Sequence, residues 1–153
     1  MTAHPRDALS AREKLLVEGL HDWLKLWQVH RHVAEENLSS SLEEVQQTVM
    51  GLVLSLISEG VAEIGGLREH GARFERWSAS PDASLRRLSV EYVDNFHDRA
   101  GWPWTVWLRL TDNGKSLGRT HQHTYALWLQ DVRARGVEER ALPLWLEPGG
   151  TQP

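Results

Sequence analysis

A chain of 153 residues is near the usual size of one domain and long enough to close a single hydrophobic core. With 41% hydrophobic and 25% charged residues it reads as a globular chain, not a disordered or fibrous one, and the absence of cysteine excludes disulfides, thiol nucleophiles and thiolate metal sites. The net charge of −4 is unevenly placed: residues 1–77 hold eight Lys/Arg against twelve Asp/Glu, and residues 78–153 hold nine of each.

The opening MTAHPRDALSAREK lacks the basic segment and apolar run of a secretion signal, and the longest apolar stretch, residues 49–57, is far short of the roughly 20 residues that span a bilayer. A cytoplasmic protein with no membrane contact is expected. Residues 1–9 read as a flexible lead-in. Ser10, with Glu13 three positions on, forms a capping box that opens a helix, and Leu15, Leu16, Leu20, Trp23, Leu24 and Trp27 recur at helical spacing. Residues 26–29 suit a short extended piece and residues 30–37 a second, shorter helix.

Residues 39–60 carry a serine cap, glutamates in the first turn, a continuous stripe of Leu42, Val45, Val49, Leu52, Val53 and Leu56, and a terminating Gly60. This pattern predicts a strong amphipathic helix. VAEIGGL and ARFERW, flanking the polar REHG, then suit a β-hairpin. Ser80 as cap and Pro81 at the first helical position start another helix, with Leu85, Leu88, Tyr92 and Phe96 as its stripe.

GWPWTVWLRLTDNGK, residues 101–115, places three tryptophans within six residues. Read as an extended chain, Trp104, Val106, Leu108 and Leu110 face the core along a strand edge, and Thr105, Trp107, Arg109 and Thr111 face the other way. Thr111 or Asp112 caps a long final helix over about residues 113–135, with Leu117, His121, Tyr125, Trp128 and Val132 on one side. Residues 137–153 read as a tail that Leu142, Leu144, Trp145 and Leu146 could dock.

The order helix, short strand, helix, strong helix, hairpin over residues 11–77 resembles a winged helix-turn-helix domain. LISEGVAEIGGL is similar to the junction of third helix and wing, and LTDNGKSL resembles the Leu-Thr-x-x-Gly-x-x-Leu that opens the helix after the wing in many bacterial winged-helix regulators. FERWSASPDASL is similar to a segment of small uncharacterised actinobacterial proteins, a likeness that implies no activity. The expected architecture is one α+β, winged-helix-like domain over residues 10–136. It is mostly helical, with a small antiparallel sheet, a helical insertion at residues 81–97 and a long C-terminal helix, followed by the tail at 137–153.

The resemblance implies DNA binding, with Ser40, Gln46 and Gln47 of the strong helix facing bases and Arg68, Arg73 and Arg76 of the wing on phosphates. Yet that helix contains no Lys or Arg, its polar face holds Glu43 and Glu44, and the wing arginines are offset by Glu63, Glu69 and Glu75. Glutamates facing phosphates repel them.

Catalytic signatures are missing. No Gly-x-Ser-x-Gly, dinucleotide fingerprint or phosphate loop occurs, and the acidic pairs 35–36, 43–44 and 138–139 read as helix ends or solvated faces. The two His-x-His pairs, His30/His32 and His121/His123, fall in or near helices, where i and i+2 rings diverge by about 200°, so they read as surface or half-buried histidines, not metal ligands. No enzyme activity, cofactor or metal is expected.

Of the eight tryptophans, Trp23, Trp27, Trp77, Trp104 and Trp128 read as core. Trp107 beside Arg109, and Trp102 at the Gly-Trp-Pro bend, are candidates for a partner surface, with cover by the C-terminal helix or tail the competing reading for Trp107. The leading expectation is a non-catalytic protein-interaction module, a regulator or an immunity- or antitoxin-like partner of a basic protein, using Trp102, Trp107, Arg109, Glu43 and Glu44. The alternative is a DNA-binding winged-helix transcription regulator, dimeric through its terminal helices.

Overall fold

The computed structural model describes residues 9–136, so the expectations for residues 1–8 and for the 137–153 tail lie outside the described residues. Within that range the chain is an α+β fold in which helices and one antiparallel sheet share a core. Leu9, expected in a flexible lead-in, is buried.

Helix α1, Ala11–Glu18, starts on the expected box: Ser10 Oγ accepts from Glu13 N and the Glu13 carboxylate accepts from Ser10 N. It stops well before Trp27. A Cβ on Gly19 would sit 2.7 Å from the Leu110 side chain, so the chain leaves the helix where it presses on the sheet. The extended piece falls two residues earlier than expected, as strand β1, Leu24–Lys25, with Leu24 in register with Leu108. Helix α2, Leu26–Glu36, follows at once because the Gln28 side chain accepts from Lys25 N at 2.8 Å.

Helix α3, Leu42–Ser58, carries the expected stripe, with Val45, Val49, Val53 and Leu56 fully buried; its cap is Ser41, which shares a box with Glu44. Strands β2, Ala62–Arg68, and β3, Arg73–Arg76, form the hairpin, turning through Glu69, His70 and Gly71, all at positive φ. Helix α4, Pro81–Leu88, is capped by Ser80 as expected and runs on as a π-helical turn, Ser89–Asp94.

The tryptophan-rich segment departs from its extended reading. Residues Trp102–Thr105 form a single helical turn, α5, and only Trp107–Leu110 is strand, β4. In a helix, residues two apart diverge by about 200° instead of sharing a face. Trp102 therefore turns inward, 1% exposed, and Trp104, expected in the core, is 54% exposed. Nor is β4 an edge. The sheet order is β1-β4-β2-β3, so it pairs on both sides, with Leu108 against Leu24 and Ile64.

The long final helix is two helices, α6, Asp112–Thr120, and α7, Gln122–Ala134. Thr120 Oγ1 donates to Leu117 O at 2.6 Å, taking the carbonyl that the His121 N–H would use in an unbroken helix, and that N–H goes to Gly118 O. Thr111 is the cap of α6, accepting from Gly114 N at 3.2 Å. Gly114 and Gly118 let α6 lie directly on Val61 O and Leu16 O, where a Cβ would come within 2.2 and 2.3 Å. Leu117, expected on the buried side, is instead exposed. No helix among the described residues is long and apolar enough to cross a membrane.

Candidate functional site

The outer face of β4 holds two of the anticipated residues. Half-buried Trp107 has Lys25 Nζ 5.0 Å from its ring centroid, and its N–H donates to Trp104 O at 2.9 Å. Arg109 donates to Glu63 Oε1 at 2.7 and 3.1 Å and lays its guanidinium 4.6 Å from the Phe74 ring, which Trp23 also meets. Trp107 is therefore neither free nor fully covered, and Arg109 is committed to a cross-strand ladder.

Trp102 is not a surface residue. Its N–H donates to Phe96 O at 2.8 Å, and its ring stacks on Phe96 and meets Tyr92 edge-on. Three of the tryptophans expected in the core, Trp23, Trp27 and Trp128, are only half-buried, whereas Trp77 is buried. The last lies under the Arg87 guanidinium at 4.0 Å.

The face of α3 presents Glu43, Glu44, Gln47, Thr48, Gly51 and Leu54. Gln46, expected to read bases, is buried and unable to do so without opening the packing, whereas Gln47 is exposed and Ser40 half-buried. The Glu44 carboxyl is lowered by its hydrogen bonds to Ser41, so it remains an anion while serving the cap. Between α3 and the π-helical turn runs a groove of about 580 Å³, lined by Leu42, Glu43, Gln46, Gln47, Met50, Ser89 and Val93. Exposed Val90 and Asp94 flank its far wall in sequence.

A second cavity of about 630 Å³ lies between the hairpin and the helical insertion. Arg68, Glu75, Arg76 and Trp77 line it from the hairpin side, Arg87 and Glu91 from α4 and the π-helical turn, and Trp104 and Thr105 from α5. Arg68 Nε bonds Glu75 at 2.6 Å, Arg76 Nε lies 3.7 Å from Glu63, and Arg87 Nε lies 3.6 Å from Glu91. Arg73, on the same strand as Arg76, is exposed. Of the hairpin arginines, Arg68 and Arg76 are thus paired with Glu75 and Glu63.

The histidines of the first His-x-His pair point to opposite sides of α2 and are both buried, at 0% and 2%, not surface or half-buried as expected. His30 Nδ1 shares a 2.6 Å hydrogen bond with Tyr92 Oη inside a box of Tyr92, Phe96 and Trp102, and burial pushes its pKa down to about 4. His32 Nε2 meets Glu18 at 2.9 Å, and the same carboxylate accepts from Tyr125 Oη at 2.7 Å and Gln28 Nε2 at 3.1 Å. Burial raises the Glu18 carboxyl, but the hydrogen bond and charge of His32, with Tyr125 and Gln28, outweigh it and leave it net lowered. Burial, then the neighbouring Glu18 charge, raises the Tyr125 hydroxyl. Together with Lys14, 4.6 Å from the Trp128 centroid, this network ties α7 to α1 and α2. No group of three or more His, Cys, Asp or Glu among the described residues could hold a metal ion.

Sequence reasoning missed Met50 and Val93 in the groove and Trp77, Arg87 and Trp104 in the cleft. The available signal was Pro103, which favours a helical start and so places Trp102 and Trp104 on opposite sides. No protein-family model, curated protein or solved structure matches the chain.

Proposed function

We propose that this protein is a non-catalytic interaction module, a regulator or an immunity- or antitoxin-like partner of a basic protein, whose receiving surface is the groove beside α3. The observation that carries the reading is the pairing of an apolar floor, Leu42, Met50 and Val93, with Glu43 on its rim and Glu44 beside it. An occupant that fits is an amphipathic helix with apolar anchors flanked by Lys or Arg, the helix-in-groove mode of recognition. Acidic charge on the rim steers such a partner and rejects acidic competitors. The order of α1 to α3 and the hairpin, with Thr111 capping at LTDNGKSL, supports a winged-helix-type scaffold put to this use in the cytoplasm.

DNA binding is the competing reading, favoured by exposed Gln47 and by the hairpin arginines 68, 73 and 76. Against it stands a recognition helix without a single cation between residues 42 and 58. A tagged pull-down from the native cell, run beside a genomic-DNA binding assay, separates the two. The interaction reading expects a basic protein retained by the wild type and lost on Met50→Glu and on Glu43→Lys. Recovery of specific duplex DNA at physiological salt, or a captured protein indifferent to both substitutions, would refute it.

A further inference from the structure

The cleft between hairpin and insertion shares no lining residue with the α3 groove, and its materials are opposite. Trp104 has more than half its surface in solvent, and Trp77 forms a second aromatic wall under Arg87. Around these rings stand Arg68, Arg76 and Arg87, each with more than half of its side-chain surface exposed. Arg68 Nε is hydrogen-bonded to Glu75, and the Nε of Arg76 and of Arg87 lie 3.7 and 3.6 Å from Glu63 and Glu91 as looser ion pairs. No hydrogen bond among the described residues uses their terminal nitrogens. The terminal nitrogens form the flat edge that grips phosphate with two parallel bonds. Glu75 and Glu91 also line the cavity, leaving its walls one positive charge in excess and admitting an anion only where the guanidiniums, not the carboxylates, meet it.

Three arginines and an exposed tryptophan lining a cavity of about 630 Å³ match the size of a small-molecule site and the composition of a base-stacking one. We propose that this cleft binds a nucleotide unit, with the base stacked on Trp104 and the phosphate held by the terminal nitrogens of Arg68, Arg76 and Arg87. The unit is a free mononucleotide or one residue of a single strand, since the recognition chemistry is the same. A base paired within a duplex has both faces stacked on its neighbours and does not present one to Trp104.

The test is a titration of the full chain with AMP, with a fluorescein-labelled ten-residue oligoadenylate, and with a duplex of equal length, followed by calorimetry and anisotropy. Saturable binding of AMP or of the single strand is expected, the stronger of the two identifying the source, and weakening with added salt. Trp104→Ala should lower affinity about tenfold or more, and Arg76→Gln by about tenfold. Both positions are exposed, and circular dichroism checks that the variants remain folded; if one does not, the other carries the test. Absence of saturable binding to either ligand, affinity unchanged in the folded variants, or preference for the duplex would overturn the proposal.

Discussion

The groove beside α3 and the cleft behind the hairpin lie on either side of one wall. Ser89 and Val93 of the π-helical turn face the groove, whereas Arg87 and Glu91, on the same continuous helical segment, face the cleft. One side is apolar with a carboxylate rim, and the other is aromatic with a guanidinium rim. The comparison teaches that net charge is a poor guide to the local character of this chain's surfaces. The −4 of the whole conceals two surfaces of opposite composition. It also identifies the insertion as the element on which both depend, and the π-helical turn, of a kind frequent at functional sites, sits at its centre.

The most damaging way to break the comparison is to remove what holds the wall in place. Trp102 pins the insertion to α2 through Phe96, Tyr92 and His30, so Trp102→Ala should cost about 3–5 kcal/mol in chemical denaturation. Both surfaces should fail together in that variant. A gentler lever is pH. His30 is neutral when folded, with its pKa lowered to about 4 from an ordinary 6.5, so the unfolded chain takes up a proton first as pH falls. Stability is therefore fully present above about pH 6.5 and declines towards pH 4 by about 3 kcal/mol, the insertion loosening with it. Denaturation midpoints recorded across this window should slope in the wild type and flatten in His30→Gln, which keeps a polar group near Tyr92.

On the far side of α2 the network around Glu18 responds in a different pH range. The Glu18 carboxyl is net lowered, so its contribution is present above the unfolded carboxylate pKa and is lost only as pH falls through the folded value. Tyr125→Phe removes one of its donors and should destabilise the chain by about 1–2 kcal/mol without touching either surface. Smallest is the Arg109–Glu63 pair, half-exposed on the sheet, where Glu63→Gln should cost under about 1 kcal/mol. A larger loss there would mean that the outer sheet face, not the insertion, organises the molecule.

What could be read from the chain follows the range of the interactions. Ser10 with Glu13, Ser80 with Pro81 and Thr111 are signals confined to one turn, and each starts a helix as expected. The α3 stripe and the REHG turn are equally local. Strand β1 is two residues long and exists because Leu24 meets Leu108, which no local pattern announces. His30 and His32 look alike in sequence, but their partners come from Tyr92 and Glu18, in different elements on opposite sides of α2. Trp102 and Trp104 exchanged roles because one helical turn replaced an extended chain. Of the candidate surfaces, Glu43 and Glu44 were accessible to reasoning from sequence as an acidic face. Arg68 and Arg76 were legible as phosphate contacts, but their grouping with Arg87 and Trp104 was not, since four separate elements, β2, β3, α4 and α5, bring the residues together.

The central claim, two independent surfaces on one wall, is tested most directly by assaying Met50→Glu and Trp104→Ala for both activities, capture of the basic protein and binding of AMP or single-stranded oligoadenylate. Each substitution should abolish or weaken one activity at least tenfold and leave the other within about twofold, as expected for separated sites without shared contacts. Loss of both activities in either folded variant, or of neither in both, would contradict it.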